Sequence, residues 1–138
     1  MRAIKHIVLH CTATDQDATV EGIQNYWKNT LGWRNPGYHY LIERNGNVNS
    51  LHPIEKPSNG VKGYNAESIH VSYIGGIDEN GKAKDNRTPQ QVLSTLALLI
   101  QLQSMFPTAQ ISGHRDFPGV TKACPSFDVA EWLKHVKL

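Results

Sequence analysis

Two histidines and one cysteine stand where their side chains could hold a metal ion. His10 ends an apolar segment, and His114 and Cys124 share one loop later in the chain. Two imidazoles and one thiolate form a catalytic zinc site when water takes the fourth tetrahedral position. Zinc lowers the pKa of that water to about 7, which makes hydroxide available at neutral pH. The three residues therefore predict a hydrolytic site with one Zn²⁺ per chain.

The hydrophobic pattern predicts the strands that must position these side chains. Alternating or continuous apolar runs, bounded by turn residues, indicate five strands; they are residues 4–11, 38–44, 47–51, 69–74 and 110–113. The pair Asn45-Gly46 is typical of a type I′ hairpin turn between the second and third strands. The first and fifth strands end at His10 and just before His114, so these two strand ends must lie close together.

Capping residues mark the starts of three helices. Thr19 and Asp128 precede apolar residues at helical spacing, and Thr88 is followed by a proline and a capping-box glutamine. The order of elements is then β-α-β-β-β-α-β-α. We expect an α/β fold in which a central mixed β-sheet is packed by about three helices, with the zinc site at one end or face of the sheet.

Length and charge limit the class of protein. The 138 residues are expected to form one domain, residues 1–138, with a core of ordinary size. The net charge of +2 is small and the basic residues are scattered, so no nucleic-acid surface is expected. No apolar run approaches the ~20 residues of a membrane span, and no signal peptide is visible. We expect a monomer that is made in the cytoplasm.

The two cysteines could instead form a disulfide, which is an alternative to metal binding by Cys124. If residues 4–11 form a strand, His10 and Cys11 point to opposite faces. A Cys124 that reaches a metal beside His10 would then be badly placed for a bridge to Cys11. His6 shares the face of His10 and is an alternative ligand, or a residue that supports one.

Five short motifs occur in an order that resembles a known family. They are Val8-Leu9-His10-Cys11-Thr12-Ala13-Thr14, Gly37-Tyr38-His39-Tyr40, Lys62-Gly63-Tyr64-Asn65, Ser68-Ile69 and Lys122-Ala123-Cys124-Pro125. Together they resemble the type 2 zinc N-acetylmuramoyl-L-alanine amidases, whose fold is shared with peptidoglycan recognition proteins. The chain is most similar to the small bacteriophage "lysozymes" that are amidases. The resemblance extends over nearly the whole sequence.

The resemblance implies an activity and a set of site residues. The activity is hydrolysis of the amide between N-acetylmuramic acid and L-alanine in bacterial peptidoglycan, carried out at the cell wall after release or export. The family's metal positions correspond to His10, His114 and Cys124, and its catalytic tyrosine and lysine to Tyr38 and Lys122. Strand parity alone would place Tyr38 on one face with Tyr40 and Ile42, as a packing residue.

The substrate-binding residues are predicted less directly. Trp33 lies in a glycine-rich loop, where it could face a sugar or a peptide or could equally pack in the core. Tyr64 and Asn65 belong to one of the matched motifs and are assigned to the same set. The chain also departs from many relatives, because Ser72 stands where they place a glutamate and Asn59-Gly60 where some carry a histidine. A carboxylate general base is therefore not assumed.

Two other functions fit the same pattern. A recognition module would bind peptidoglycan without cutting it, but loss of a metal ligand is its expected mark and Cys124 is present. A regulatory partner of a polymerase is the third possibility, since the resembling phage amidase also inhibits an RNA polymerase. Zinc content and cleavage of sacculi would separate the first two functions, and co-purification with polymerase would test the third.

Overall fold

A computed structural model describes residues 1–138 and contains one five-stranded sheet. The strands are β1 His6–Cys11, β2 Tyr40–Ile42, β3 Val48–Ser50, β4 Ser68–Tyr73 and β5 Gln110–Gly113. Their order across the sheet is β3-β2-β4-β1-β5. All neighbouring strands are parallel except β2 and β3, which form an antiparallel hairpin. The predicted mixed sheet is confirmed.

Three α-helices pack on this sheet, and each begins at its predicted cap. They are α1 Val20–Asn25, which continues as a π-helical turn through Thr30, α2 Pro89–Met105 and α3 Val129–Val136. The Thr19 side chain accepts a hydrogen bond from Gly22 N, and Asp128 accepts one from Glu131 N. Thr88 and Gln91 form the full capping box. None of the helices combines the length and the apolar character needed to cross a bilayer.

The two faces of the central strands have different neighbours. Ile7 and Leu9 of β1 and Ile69 and Val71 of β4 lie on one face and form the main core. The buried leucines of α2 and the apolar side of α3 pack against them. The residues between these positions face the other way, and among them are the imidazoles of β1 and β4. A site on that second face therefore rests on a sheet whose other face is packed in the main core.

Two local predictions about the second strand are wrong. Strand β2 begins only at Tyr40, so Tyr38 lies before it and does not follow its alternation. Tyr38 packs instead with Trp27 and Leu41, away from the main core that contains Ile42. The physical reason is that pairing with β4 starts at Tyr40.

The hairpin turn also differs from the prediction. In the Asn45-Gly46 pair only Gly46 has a positive φ, of 90°. Glu43 O accepts a hydrogen bond from Gly46 N, and Glu43 N donates to Asn47 O. The loop therefore has three residues and a glycine bulge, whereas a type I′ turn needs positive φ at both central residues.

Candidate metal centre and cleft

The pairing of β1 with β5 brings the two predicted histidine ligands together. Leu9 is opposite Gly113 in this parallel pair, and each is followed by one of the histidines. The rings of His10 and His114 consequently lie 4.8 Å apart, measured between their centroids. Asp116 fixes the turn that carries His114, because its Oδ2 accepts a hydrogen bond from Gly113 N at 2.8 Å. Asp116 therefore holds the start of the loop that carries His114.

A backbone hydrogen bond returns the chain to the same place and delivers the cysteine. Arg115 N donates to Cys124 O at 2.8 Å, which closes the intervening loop. The Cys124 Sγ then lies 3.8 Å from His10 Nδ1. One ligand atom from each of His10, His114 and Cys124 lies within 4.8 Å of the others. The structure therefore assembles the three residues that the sequence singled out.

The donor set fits a zinc ion. A tetrahedral ion with bonds of about 2.0 Å to nitrogen and about 2.3 Å to sulfur separates these two donors by roughly 3.5 Å. The distance of 3.8 Å between Cys124 Sγ and His10 Nδ1 is close to that value. Two imidazoles and a thiol are also soft nitrogen and sulfur donors. Such donors bind zinc, whereas magnesium and calcium prefer oxygen ligands.

The electrostatics of the cluster favour neutral imidazoles, which are the form that binds a metal. Burial lowers the pKa of His10 well below its ordinary value, and repulsion from His70 and His114 lowers it further. Burial and the Lys122 ammonium also lower the pKa of His114. Hydrogen bonding with Cys11 and burial raise the pKa of the Cys124 thiol. A bound cation is therefore what would favour the thiolate here.

An open cleft of about 180 Å³ lies over the three candidate ligands. Its walls include the predicted catalytic residues Tyr38 and Lys122 and the predicted substrate-facing Trp33. None of the lining residues is an aspartate or a glutamate. Ser72 is buried, and its hydroxyl donates to Tyr73 O.

Tyr38 and Lys122 offer hydrogen-bond donors of different kinds to this cleft. The Tyr38 ring lies 5.1 Å from the His10 ring, and its hydroxyl donates to Cys11 O at 3.1 Å. Burial, with repulsion from Cys124, raises the pKa of Tyr38, so the phenol stays protonated at neutral pH. Lys122 is exposed at the rim. An exposed cation can stabilise an oxygen that gains negative charge, and the hydroxyl can do the same when it turns away from Cys11 O.

Tyr64 and Asn65, the other two predicted substrate-binding residues, do not line the cleft. The Tyr64 ring packs edge-on against His6 and Phe117. Asn65 Oδ1 accepts hydrogen bonds from Gly60 N and Val61 N and also contacts a histidine of β4. Both side chains have structural contacts, and the structure gives no support for their contact with substrate. His6 is likewise not in the metal cluster and lies 3.7 Å from Glu67.

Sequence reasoning missed two buried histidines behind the cluster. His70 Nδ1 lies 2.8 Å from His10 Nε2, and His39 Nδ1 accepts a hydrogen bond from His70 N at 3.0 Å. A signal was available in β4, whose buried residues alternate between polar and apolar types. Ser68, His70 and Ser72 share one face by parity, which indicates a polar surface inside the protein.

The two cysteines are free thiols, so the disulfide alternative is not adopted in this structure. Cys11 belongs to the main core and His10 does not, which agrees with the predicted parity. Cys124 is nevertheless nearer to Cys11 than parity suggested, because Cys11 N donates to Cys124 Sγ at 3.2 Å. The Cys11 side chain also hydrogen-bonds to Cys124, so the expectation that parity would keep the two cysteines apart is wrong, because both meet at the end of the strand.

Comparisons with known proteins identify the family. The family described as N-acetylmuramoyl-L-alanine amidase matches residues 1–127. The endolysin of Enterobacteria phage K11 is 39% identical over 128 residues, which cover 91% of this chain and 83% of the phage protein.

Solved structures show the same fold. N-acetylmuramoyl-L-alanine amidase LysC from Clostridium intestinale URNW superposes with a TM-score of 0.82 at 25% identity, over 99% of this chain and 87% of that one. Bumblebee PGRP-SA superposes with a TM-score of 0.79 at 21% identity, over 97% and 82% of the two chains, and so shares the fold. The resemblance stated from the motifs is confirmed. The chain belongs to the N-acetylmuramoyl-L-alanine amidase family.

Proposed function

We propose that this chain hydrolyses the amide bond between N-acetylmuramic acid and L-alanine in bacterial peptidoglycan, with one Zn²⁺ held by His10, His114 and Cys124. The observation that carries the proposal is the meeting of these three donors, from segments more than 100 residues apart, at the floor of one cleft. The family match over residues 1–127 names the bond.

A bound zinc ion would supply a Lewis acid for the amide carbonyl and would lower the pKa of a water molecule to about 7. The chain's own residues do the rest. The exposed Lys122 ammonium, which lines the cleft, stabilises negative charge that develops on the carbonyl oxygen. The Tyr38 hydroxyl, which lies beside His10 and donates its one proton to Cys11 O, is the second donor to that charge or to the attacking water once it turns away from Cys11 O.

The walls of the cleft place the substrate. Trp33 lines the same cleft as Lys122 and offers an aromatic face to a sugar ring or to the peptide stem. We infer that residues 1–138 act as one amidase domain and as a monomer, and that the protein meets its substrate at the cell wall after release or export. Endolysin relatives of similar length support this setting.

Digestion of purified sacculi tests the proposed function. The wild-type protein should contain about one zinc per chain and should release new amino ends of L-alanine from sacculi. Cys124→Ser should lower the zinc content and abolish most cleavage, because a hydroxyl is a poorer zinc ligand than a thiolate. His135→Ala, on the exposed side of α3, is the matched control and should behave as wild type.

Four other results would contradict the proposed function or one of its residues. Binding to sacculi without release of amino ends would show a recognition module rather than an enzyme. Cleavage at a sugar linkage would overturn the proposed bond. Full zinc content and full rate in Cys124→Ser would exclude this cysteine as a ligand. Co-purification with RNA polymerase, with no cleavage of sacculi, would favour the regulatory alternative.

A further inference from the structure

A chain of hydrogen bonds runs from the candidate metal centre into the interior through a histidine that has no assigned role. His10 Nε2 lies 2.8 Å from His70 Nδ1, and His70 Nε2 lies 2.8 Å from Asn65 Oδ1. The exposed fraction is 2% for His10 and 0% for His70, so water does not compete for these contacts. The nitrogen of His10 that faces Cys124 is the other one, Nδ1.

The direction of each hydrogen bond in this chain is fixed from its inner end. Asn65 Oδ1 accepts from two backbone groups, Gly60 N and Val61 N, at 3.1 and 2.8 Å. Since backbone N–H groups only donate, this atom is the amide oxygen and not the nitrogen. His70 Nε2 must therefore carry a proton and donate to it. A neutral His70 then has an unprotonated Nδ1, which can only accept.

The consequence reaches the metal ligand. His70 Nδ1, as an acceptor, requires His10 Nε2 to be the protonated nitrogen. The lone pair of His10 is then on Nδ1, which points toward Cys124 at 3.8 Å. Metal-binding histidines commonly donate their other N–H to an acceptor that sets the tautomer and the ring orientation. Here the acceptor is another imidazole.

The fold holds His70 in this position from several sides. Its backbone N–H donates to His39 Nδ1 at 3.0 Å, and the two rings stack with centroids 6.0 Å apart. Its ring also lies directly against Gly60, where a Cβ atom would come within 2.3 Å of His70 Cγ and Nδ1. Glycine at position 60 therefore leaves the space that the ring occupies.

We propose that His70 is a positioning residue, backed by Asn65, which holds His10 in the Nε2-protonated tautomer and so presents His10 Nδ1 to the metal ion. The proposal deepens the proposed function, because it names a residue that acts on the metal only through a ligand. The proposal also gives Asn65 a role: it supports the metal site through His70 and does not contact substrate in the cleft.

Two measurements test the role of His70. In the metal-free wild-type protein, long-range ¹H–¹⁵N correlation spectra of the imidazoles should show His10 Nε2 protonated and Nδ1 unprotonated. Zinc affinity, measured by competition with a chromophoric chelator, should fall about 10- to 100-fold in His70→Leu. His70→Asn should retain affinity within a few-fold, because its amide oxygen can take the place of Nδ1 as the acceptor.

A third variant covers the case in which His70→Leu does not fold. Gly60→Ala leaves both histidines in the sequence but displaces the His70 ring, and it should also weaken zinc binding. A protonated Nδ1 on His10 in the wild-type spectrum, or equal zinc affinity in His70→Leu and wild type, would overturn the proposal. If the wild-type protein binds no zinc at all, the proposed function fails, while the spectrum of the metal-free protein still decides the role of His70.

Discussion

Acidification should destabilise the metal-free protein through His39, a histidine with an exposed fraction of 0%. Its Nδ1 accepts the hydrogen bond from His70 N, and its Nε2 lies 2.7 Å from Lys56 O. A second proton would have to go on Nδ1 and would break the first of these bonds. Burial, together with repulsion from Arg2 and His52, lowers the pKa of His39 to about 4.

The sign and the size of the effect follow from this pKa. The ordinary pKa of histidine, about 6.5, applies in the unfolded chain, which therefore binds the extra proton first as the pH falls. Stability is fully present above about pH 6.5 and decreases as the pH falls toward 4. A difference of about 2.5 pKa units between the two states, at about 1.4 kcal/mol each, corresponds to about 3 to 4 kcal/mol of unfolding free energy at pH 7.

Urea denaturation in the presence of a chelator, at several pH values from 7 to 4.5, measures this dependence. His39→Asn keeps an acceptor for His70 N but cannot titrate in this range. This variant should be less stable at pH 7 and should lose less stability on acidification. The slope of its unfolding free energy against pH should be smaller than that of wild type by the contribution of up to one proton. His135→Asn, which replaces an exposed histidine, should keep the wild-type slope. An unchanged slope in His39→Asn would refute the reasoning.

Three further predictions concern the cleft and the fold. Lys122→Ala and Tyr38→Phe should fold and keep zinc but lose about 10²–10³ in kcat on sacculi, the usual cost of one oxyanion-stabilising group; wild-type rates would contradict their assignment. With no carboxylate in the cleft, the rate of digestion should rise with pH through about 7, and full activity at pH 5 with zinc bound would require a base elsewhere. Gln91→Ala should cost about 2 kcal/mol in urea denaturation, because the buried side chain donates to Ile42 O and Ile74 O, whereas Gln90→Ala on the exposed side should cost little.

The metal ligands could be predicted from the sequence because their residue types are few and their chemistry is specific. The prediction that they meet needed only the assumption that two parallel strands end together, and the pairing of β1 with β5 fulfils it. The ligands are His10, His114 and Cys124. The helix starts were predictable for a similar reason, since Thr19, Thr88 and Asp128 act on groups within three or four residues. Local chemistry determines both features.

The remaining features depend on contacts between distant segments. The face of Tyr38 was mispredicted because the start of β2 is determined by its pairing with β4, which lies about 30 residues later. The contact between His70 and Asn65 is local in sequence, but its meaning depends on His10, which is 60 residues away. The polar alternation of β4 indicated that buried polar side chains on that face need hydrogen-bond partners, but it did not indicate which residues those partners are.

The position of β1 in the sheet also has a consequence for how the protein is made. This strand is the first of the chain, yet its two neighbours are β4 and β5, so that His6 pairs with Ser68 and with Gln110. Contacts of such long sequence separation form late and slow folding. On the ribosome, the apolar side chains of β1 have no partner strand until half of the chain has emerged, and both edges are covered only after Gly113. Because His114 and Cys124 follow that last strand, the three candidate metal ligands cannot come together until the chain has been synthesised through Cys124.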